Sequence, residues 1–149
     1  MHIYFAGPIF GEAQLQFNEK ILEMIEAEGH DVFLPQRDGI ENLQPGDEPH
    51  IETVEDAKNE LFRFNREKVL EADLMMIILD GQIPDVGIGT ELGLAHEHDI
   101  PIIGLKTHAP NSVSKDIVGE LNPMLFGSLS ELTTSPEEFV GAIENYEGR

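Results

Sequence analysis

The six consecutive apolar residues Leu74–Leu79 (LMMIIL) constrain this chain more than any other stretch. A run of that length with no polar face suits a central parallel strand covered on both sides. Asp80-Gly81 ends it, and a short loop carrying Pro84, Asp85, Gly87 and Gly89 follows. The spacing predicts a helix from near Thr90 to about His98, with Glu91 in its first turn. Spare backbone N–H groups and the helix dipole stabilise a carboxylate there. Asp85 and Glu91 would then lie beyond the carboxyl end of a buried strand, where open α/β sheets place their ligands. The same two residues also suit a turn former and a favourable helix-start charge.

Around this centre the chain alternates strands and helices. His2–Ala6 reads as a strand turned by Gly7-Pro8, and Phe17, Ile21, Leu22 and Ile25 give helical spacing over 12–28, stopped by Gly29. Val32–Leu34 is a second strand. The loop over 36–52 is long for a compact domain, and such connections serve as lids or binding loops or are tolerated insertions. Thr53-Val-Glu-Asp56 has the form of a capped helix start, with an apolar face running to about Ala72. Pro101–Leu105 is a fourth buried strand, 106–119 a polar loop and Leu121–Leu129 a short strand. Ser135-Pro136-Glu137-Glu138 starts a last helix that runs to about Tyr146. The order predicts one domain over 1–149, a flavodoxin-like α/β three-layer sandwich of about five parallel strands with helices on both faces.

Composition narrows the partners. Nine Lys and Arg against 29 Asp and Glu give a formal charge of −20. Nucleic acid and anionic membrane both repel such a surface. An acidic, lysine-poor surface suits high-salt cytoplasm, where screening removes the self-repulsion, so a halophilic origin is expected. With no cysteine, disulfides, thiolate catalysis and Cys-based zinc sites are excluded. No stretch approaches the roughly 18 apolar residues of a membrane span. The opening MHIYFAGPIF lacks a basic leader, and a cytoplasmic location is expected.

The six histidines form no metal motif, since His96 and His98 face different ways on a helix and the others are scattered. Gly87-Ile-Gly89 follows a strand, but there is no GxGxxG, no P-loop lysine and no GxSxG elbow. Carboxylates remain: Asp73, Asp80, Asp85 and Glu91 surround one strand, with Asp73 at its opposite edge and structural. A carboxylate pair suits chemistry at an anomeric carbon, one group trapping the sugar covalently while the other manages protons.

Three stretches together resemble the nucleoside 2-deoxyribosyltransferases. Tyr4-Phe-Ala-Gly-Pro-Ile-Phe10 is similar to the family's first strand and turn, and Asp85-Val-Gly-Ile-Gly-Thr-Glu91-Leu-Gly-Leu-Ala95 to its signature, an Asp six residues before a Glu that opens E-L-G-x-A. Leu121-Asn122-Pro123-Met124 resembles a later N-x-M segment. The resemblance implies that Glu91 is the nucleophile and Asp85 an acid beside it that contacts the nucleoside. It implies that Tyr4 lies near the nucleophile and that Asn122 is lent to the sugar hydroxyl by a neighbouring subunit. Asn122 alone also suits a turn before proline. Gly7, Phe10, Asp80, Gly87 and Met124 complete the implied substrate-binding set. The implied protein is a homodimer or larger homo-oligomer sharing its site across the interface. It takes nucleosides and nucleobases in nucleotide salvage and needs no cofactor or metal.

One position departs from the family, which often carries an Asp eight residues ahead of the residue matching Asp73, where this chain has Asn65. Asn cannot act as a carboxylic acid, though it can hydrogen-bond a base edge. Protonation of the base then falls to Asp85 or water. The Pro35–Gly39 segment, with Arg37, either reaches the base or is a solvated turn. Related nucleotide N-hydrolases hold a phosphate with Ser and Arg in the first loop, which reads GPIFG here. That favours a nucleoside, with Arg37 as a remaining source of charge. The expected activity is transfer of a 2-deoxyribosyl group between bases. The alternatives are N-hydrolysis of a 2′-deoxynucleoside or deoxynucleotide, and a non-catalytic nucleoside-binding module.

Overall fold

The computed structural model describes residues 1–81, 85–107 and 121–148. The expected loop over 106–119 lies largely outside them. Five strands, β1 (His2–Ala6), β2 (Asp31–Phe33), β3 (Leu74–Ile78), β4 (Ile102–Leu105) and β5 (Glu131–Thr133), form one parallel sheet in the order β2-β1-β3-β4-β5. This is the flavodoxin-like α/β arrangement. The order reverses direction between β1 and β3, and such a switch point opens a crevice beyond the carboxyl ends of the strands.

Both faces of the sheet are covered, so β3 is buried at every position. Leu74, Met76 and Ile78 join Ile3 and Phe5 in a core against Ile21, Leu22 and Ile25 of α1 (Glu12–Ala27) and Phe139 and Val140 of a late helix. Met75, Ile77 and Leu79 face the other way with Tyr4 and Ala6, against Val69 of α3 (Val54–Glu71) and Ile88, Leu92 and Ala95 of α4 (Val86–Glu97). The strand period of two thus divides one apolar run between two cores. The Thr53 capping box is formed: its hydroxyl accepts from Asp56 N while the Asp56 carboxylate takes the Thr53 N–H.

Three expectations need correction. The helix after β3 starts at Val86, capped by Asp85, so Glu91 lies in the second turn rather than the first. The segment expected as a strand is helix α5 (Pro123–Ser128), and β5 follows it. Asn122 caps that helix and Pro123 takes its first position, a local start signal that outweighs the Leu and Phe residues behind it. The final helix α6 (Pro136–Gly141), capped by Ser135, tightens into a 3-10 turn over Ala142–Tyr146. The 36–52 loop opens with one helical turn, α2 (Pro35–Asp38). Among the described residues no helix is long and apolar enough to cross a membrane.

Candidate active site

Asp85 fixes where α4 begins. Its carboxylate accepts from Gly87 N at 2.9 Å and Ile88 N at 3.3 Å, which satisfies two of the four unpaired donors of the first turn. Gly87 permits this, because a Cβ there would lie 2.8 Å from Asp85 Oδ2. The helix N-terminus therefore stabilises Asp85, and Glu91 enters the interior one turn further on.

There Glu91 meets β1. The Tyr4 hydroxyl donates to Glu91 Oε1 at 2.8 Å across 87 residues of sequence. Tyr4 is fully buried, its ring stacked on Phe33 at 5.5 Å, and Phe33 packs in turn on Phe64 of α3. The hydroxyl is thus aimed by packing rather than by its own rotamer freedom. Burial pushes the Glu91 carboxyl up to about 7. The Tyr4 hydrogen bond pulls it down, and the charges of Asp85 and Glu41 push it up. Burial and the Glu91 carboxylate together raise the Tyr4 phenol well above its ordinary range, so it serves as a neutral donor.

Glu91 opens into a 260 Å³ cleft between α3 and α4, walled by Phe62, Asn65, Arg66, Val69, Gly87, Thr90 and Leu94. Asn65 Nδ2 donates to Glu41 Oε1 at 3.4 Å, while Asn65 Oδ1 is buried without a partner among the described residues. Glu41 lies in the long loop, within electrostatic reach of both Tyr4 and Glu91. Sequence reasoning missed it. The loop reads in sequence as a lid, a binding loop or a tolerated insertion, and nothing separates Glu41 from the acids at 47, 48 and 52 until the fold sets it beside Asn65. Arg66, also missed, is the one basic residue on the cleft wall among the described residues.

Other expected site residues stand elsewhere. Gly7 ends β1 where a Cβ would lie 2.5 Å from Asn18 Oδ1. Asn18 is fully buried and donates to Pro8 O and to Gln36 Oε1, which clamps the turn after β1 to α1 and α2. Phe10 is exposed in that turn. Arg37 does not reach the cleft, because its nitrogens donate to Glu26 and Asp38 carboxylates and to Val32 O, holding α1, α2 and β2 together. Asp80 accepts from Thr107 N at 2.7 Å and Thr107 Oγ1 at 2.6 Å, tying the ends of β3 and β4. Asn122 accepts from Met124 N at 2.9 Å in its capping role. Neither it nor the exposed Met124 walls the cleft.

The assembled group is a half-buried carboxylate facing a cleft, a neutral phenol donor on one of its oxygens, and two further carboxylates nearby. Among the described residues no three His, Asp or Glu side chains are placed to hold a metal ion. A carboxylate kept from water, whose deprotonated form is reached only around neutral pH, can attack an electrophilic carbon and form an ester. The phenol steadies its charge and orientation.

Comparison with known proteins bears on the family. No curated protein matches the sequence. Among the solved structures that share the architecture are the following three. A conserved protein from Enterococcus faecalis V583 is 26% identical, covers 97% of this chain and 98% of its own, and superposes with a TM-score of 0.75. The 2-deoxyribosyltransferase of the psychrotolerant bacterium Bacillus psychrosaccharolyticus is 24% identical over 99% of this chain and 93% of its own, with a TM-score of 0.74. The CMP N-glycosidase of Clostridium botulinum is 14% identical over 97% and 99%, with a TM-score of 0.58. At these identities the last two speak to the fold. The sequence model of nucleoside 2-deoxyribosyltransferases matches residues 3–129, from the strand that carries Tyr4 to the end of α5. That span takes in both the β1–β3 switch point and the helix that delivers Glu91, and the chain belongs to the nucleoside 2-deoxyribosyltransferase family.

Proposed function

We propose that this protein cleaves the N-glycosidic bond of a 2′-deoxynucleoside and passes the deoxyribosyl group to a second base. The observation that carries this reading is the hydrogen bond from the buried Tyr4 hydroxyl to Glu91, whose side chain lines the cleft. In the proposed reaction a Glu91 oxygen bonds to the anomeric carbon as the bond from that carbon to the base nitrogen breaks. The base leaves with the electron pair. Tyr4 holds the carboxylate through one of its oxygens, and Asp85 fixes the helix start that delivers it. A second base then takes the sugar and frees Glu91. The covalent ester carries the intermediate, so the chemistry requires no cofactor.

A second copy of the chain suits the exposed Val86, Met124 and Phe126, since large apolar side chains left in water favour association. Such an assembly would let Asn122 of one copy serve the sugar in the other. The acidic surface suits a cytoplasm rich in salt.

The test is to incubate the protein in multimolar KCl with deoxyinosine and adenine and to separate the products. Deoxyadenosine and hypoxanthine establish transfer. Hypoxanthine with free deoxyribose establishes hydrolysis, and no release from any deoxynucleoside leaves a binding module. Arg66 favours one other reading: a guanidinium on the cleft wall can pair with a 5′-phosphate. Release of base from deoxynucleoside monophosphates at a higher kcat/KM than from nucleosides selects it.

A further inference from the structure

The departure of a base needs a proton as well as a nucleophile, and Asn65, on the cleft wall beside Glu91, cannot supply one. The structure sets a carboxylate against it. Glu41 Oε1 accepts from Asn65 Nδ2 at 3.4 Å, which orients the amide so that its Oδ1 stays buried and unpartnered among the described residues. Glu41 also walls a second cavity, of 160 Å³, whose lining includes the apolar Ile40, Leu43, Pro45 and Leu61. Its partner Asn65 walls the cleft that holds Glu91. The Glu41–Asn65 hydrogen bond therefore links the two cavities, one walled by apolar side chains together with Gln44 and Lys58, and one with the nucleophile.

We infer that Glu41, held by Asn65, is the catalytic acid and base that serves the leaving and entering nucleobase. The inference rests on the glycosyl-transfer reading above. In the first half-reaction the Glu41 carboxyl gives its proton to a ring nitrogen of the base. Meanwhile the bond from the anomeric carbon to the base breaks and the bond to the Glu91 oxygen forms. In the second, the entering base loses its N–H proton to the Glu41 carboxylate as its nitrogen takes the anomeric carbon and Glu91 departs as a carboxylate. Protons and electron pairs balance over the cycle. Glu41 and Glu91 lie close enough for their charges to interact. Asn65 Oδ1 is left as an acceptor for an N–H on the base edge, the desolvated group that a bound base would satisfy.

The experiment compares wild type, Glu41→Gln and the exchanged pair Glu41→Gln/Asn65→Asp on two substrates, deoxyadenosine and 7-methyl-2′-deoxyguanosine. The second has a cationic leaving base that needs no proton. Glu41→Gln is expected to lower the single-turnover rate of base release from deoxyadenosine by about 100-fold, with release from 7-methyl-2′-deoxyguanosine held within about threefold of wild type. The exchanged pair moves the carboxylate to the other end of the same hydrogen bond and is expected to recover at least about tenfold on deoxyadenosine. Equal losses on both substrates, with no recovery in the exchanged pair, overturn the inference in favour of a structural role. An unchanged single-turnover rate on deoxyadenosine also overturns it. If wild type itself releases no base from either substrate, the glycosyl-transfer reading fails, and this one falls with it.

Discussion

The two edges of the sheet carry similar side chains and treat them in opposite ways. At the amino edge Asp73 accepts from His2 N at 2.7 Å, and Asp31, largely exposed, meets the His2 ring at 2.8 Å. These acids keep their contact with water and fasten the start of β1 to its two neighbours. At the carboxyl edge Glu91 is drawn into the interior. Its carboxylate accepts from the Tyr4 hydroxyl, and two other carboxylates lie within electrostatic reach. A carboxylate in that position opposes folding. Its retention at a cleft is better explained by chemistry than by stability. The chemical group is the same; solvent and neighbours decide what it does.

Glu91→Gln is the strongest way to break this contrast. Turnover is expected to fall by at least about 100-fold, and retention of more than about a tenth of wild-type activity in the transfer assay removes Glu91 as nucleophile. The fold should gain from the same change. Below pH 4.5 the side chain is protonated in both folded and unfolded chains. Between 4.5 and about 7 the unfolded chain ionises first, so wild type loses stability as the pH rises, and above about 7 the loss is complete. That loss is on the order of 3 kcal/mol. Denaturant titrations should find the variant more stable than wild type above neutrality, with the advantage fading as the pH falls toward 4.5.

Tyr4→Phe sharpens the comparison with a smaller effect. Removing the donor takes away the one influence that lowers the Glu91 carboxyl, so the acid limb of kcat/KM should move above its wild-type position near 7. Activity at neutral pH should fall by about tenfold, the worth of a hydrogen bond to a charged group. An unmoved limb in a pH profile would mean that the phenol does not act through Glu91. Least of all should Asp73→Asn matter: kcat stays at the wild-type value and stability falls by less than about 1 kcal/mol, read from the same denaturant titrations.

Much of the scaffold was legible because its signals are local. The unbroken apolar run at Leu74–Leu79 marked the central strand, and the box at Thr53 and Asp56 marked the start of α3. Where reading failed, a local signal was outweighed. Gly87 and Gly89 suggested loop, yet the cap at Asp85 starts α4 ahead of them. Leu125 and Phe126 suggested strand, yet Asn122 and Pro123 start a helix. The candidate site divides along the same line. Glu91, Asp85 and Tyr4 stand in recognisable stretches, whereas Glu41 gains its meaning only through Asn65, a helix away. Arg37 looked available in sequence because the Glu26 carboxylate that engages it belongs to another element.

The hydrogen bond from Tyr4 to Glu91 also has a consequence for how the molecule assembles. β1 is among the first segments in the chain, but its place is between β2 and β3, and its phenol is matched by a group 87 residues later. Contacts of such separation require closing a long loop before they return any free energy, and they slow folding. Until α4 docks, Tyr4 carries a hydroxyl with nothing to receive it and an aromatic face in need of cover. Formation of the site is therefore expected late in folding, and Tyr4 fluorescence in a Tyr146→Phe background would follow it.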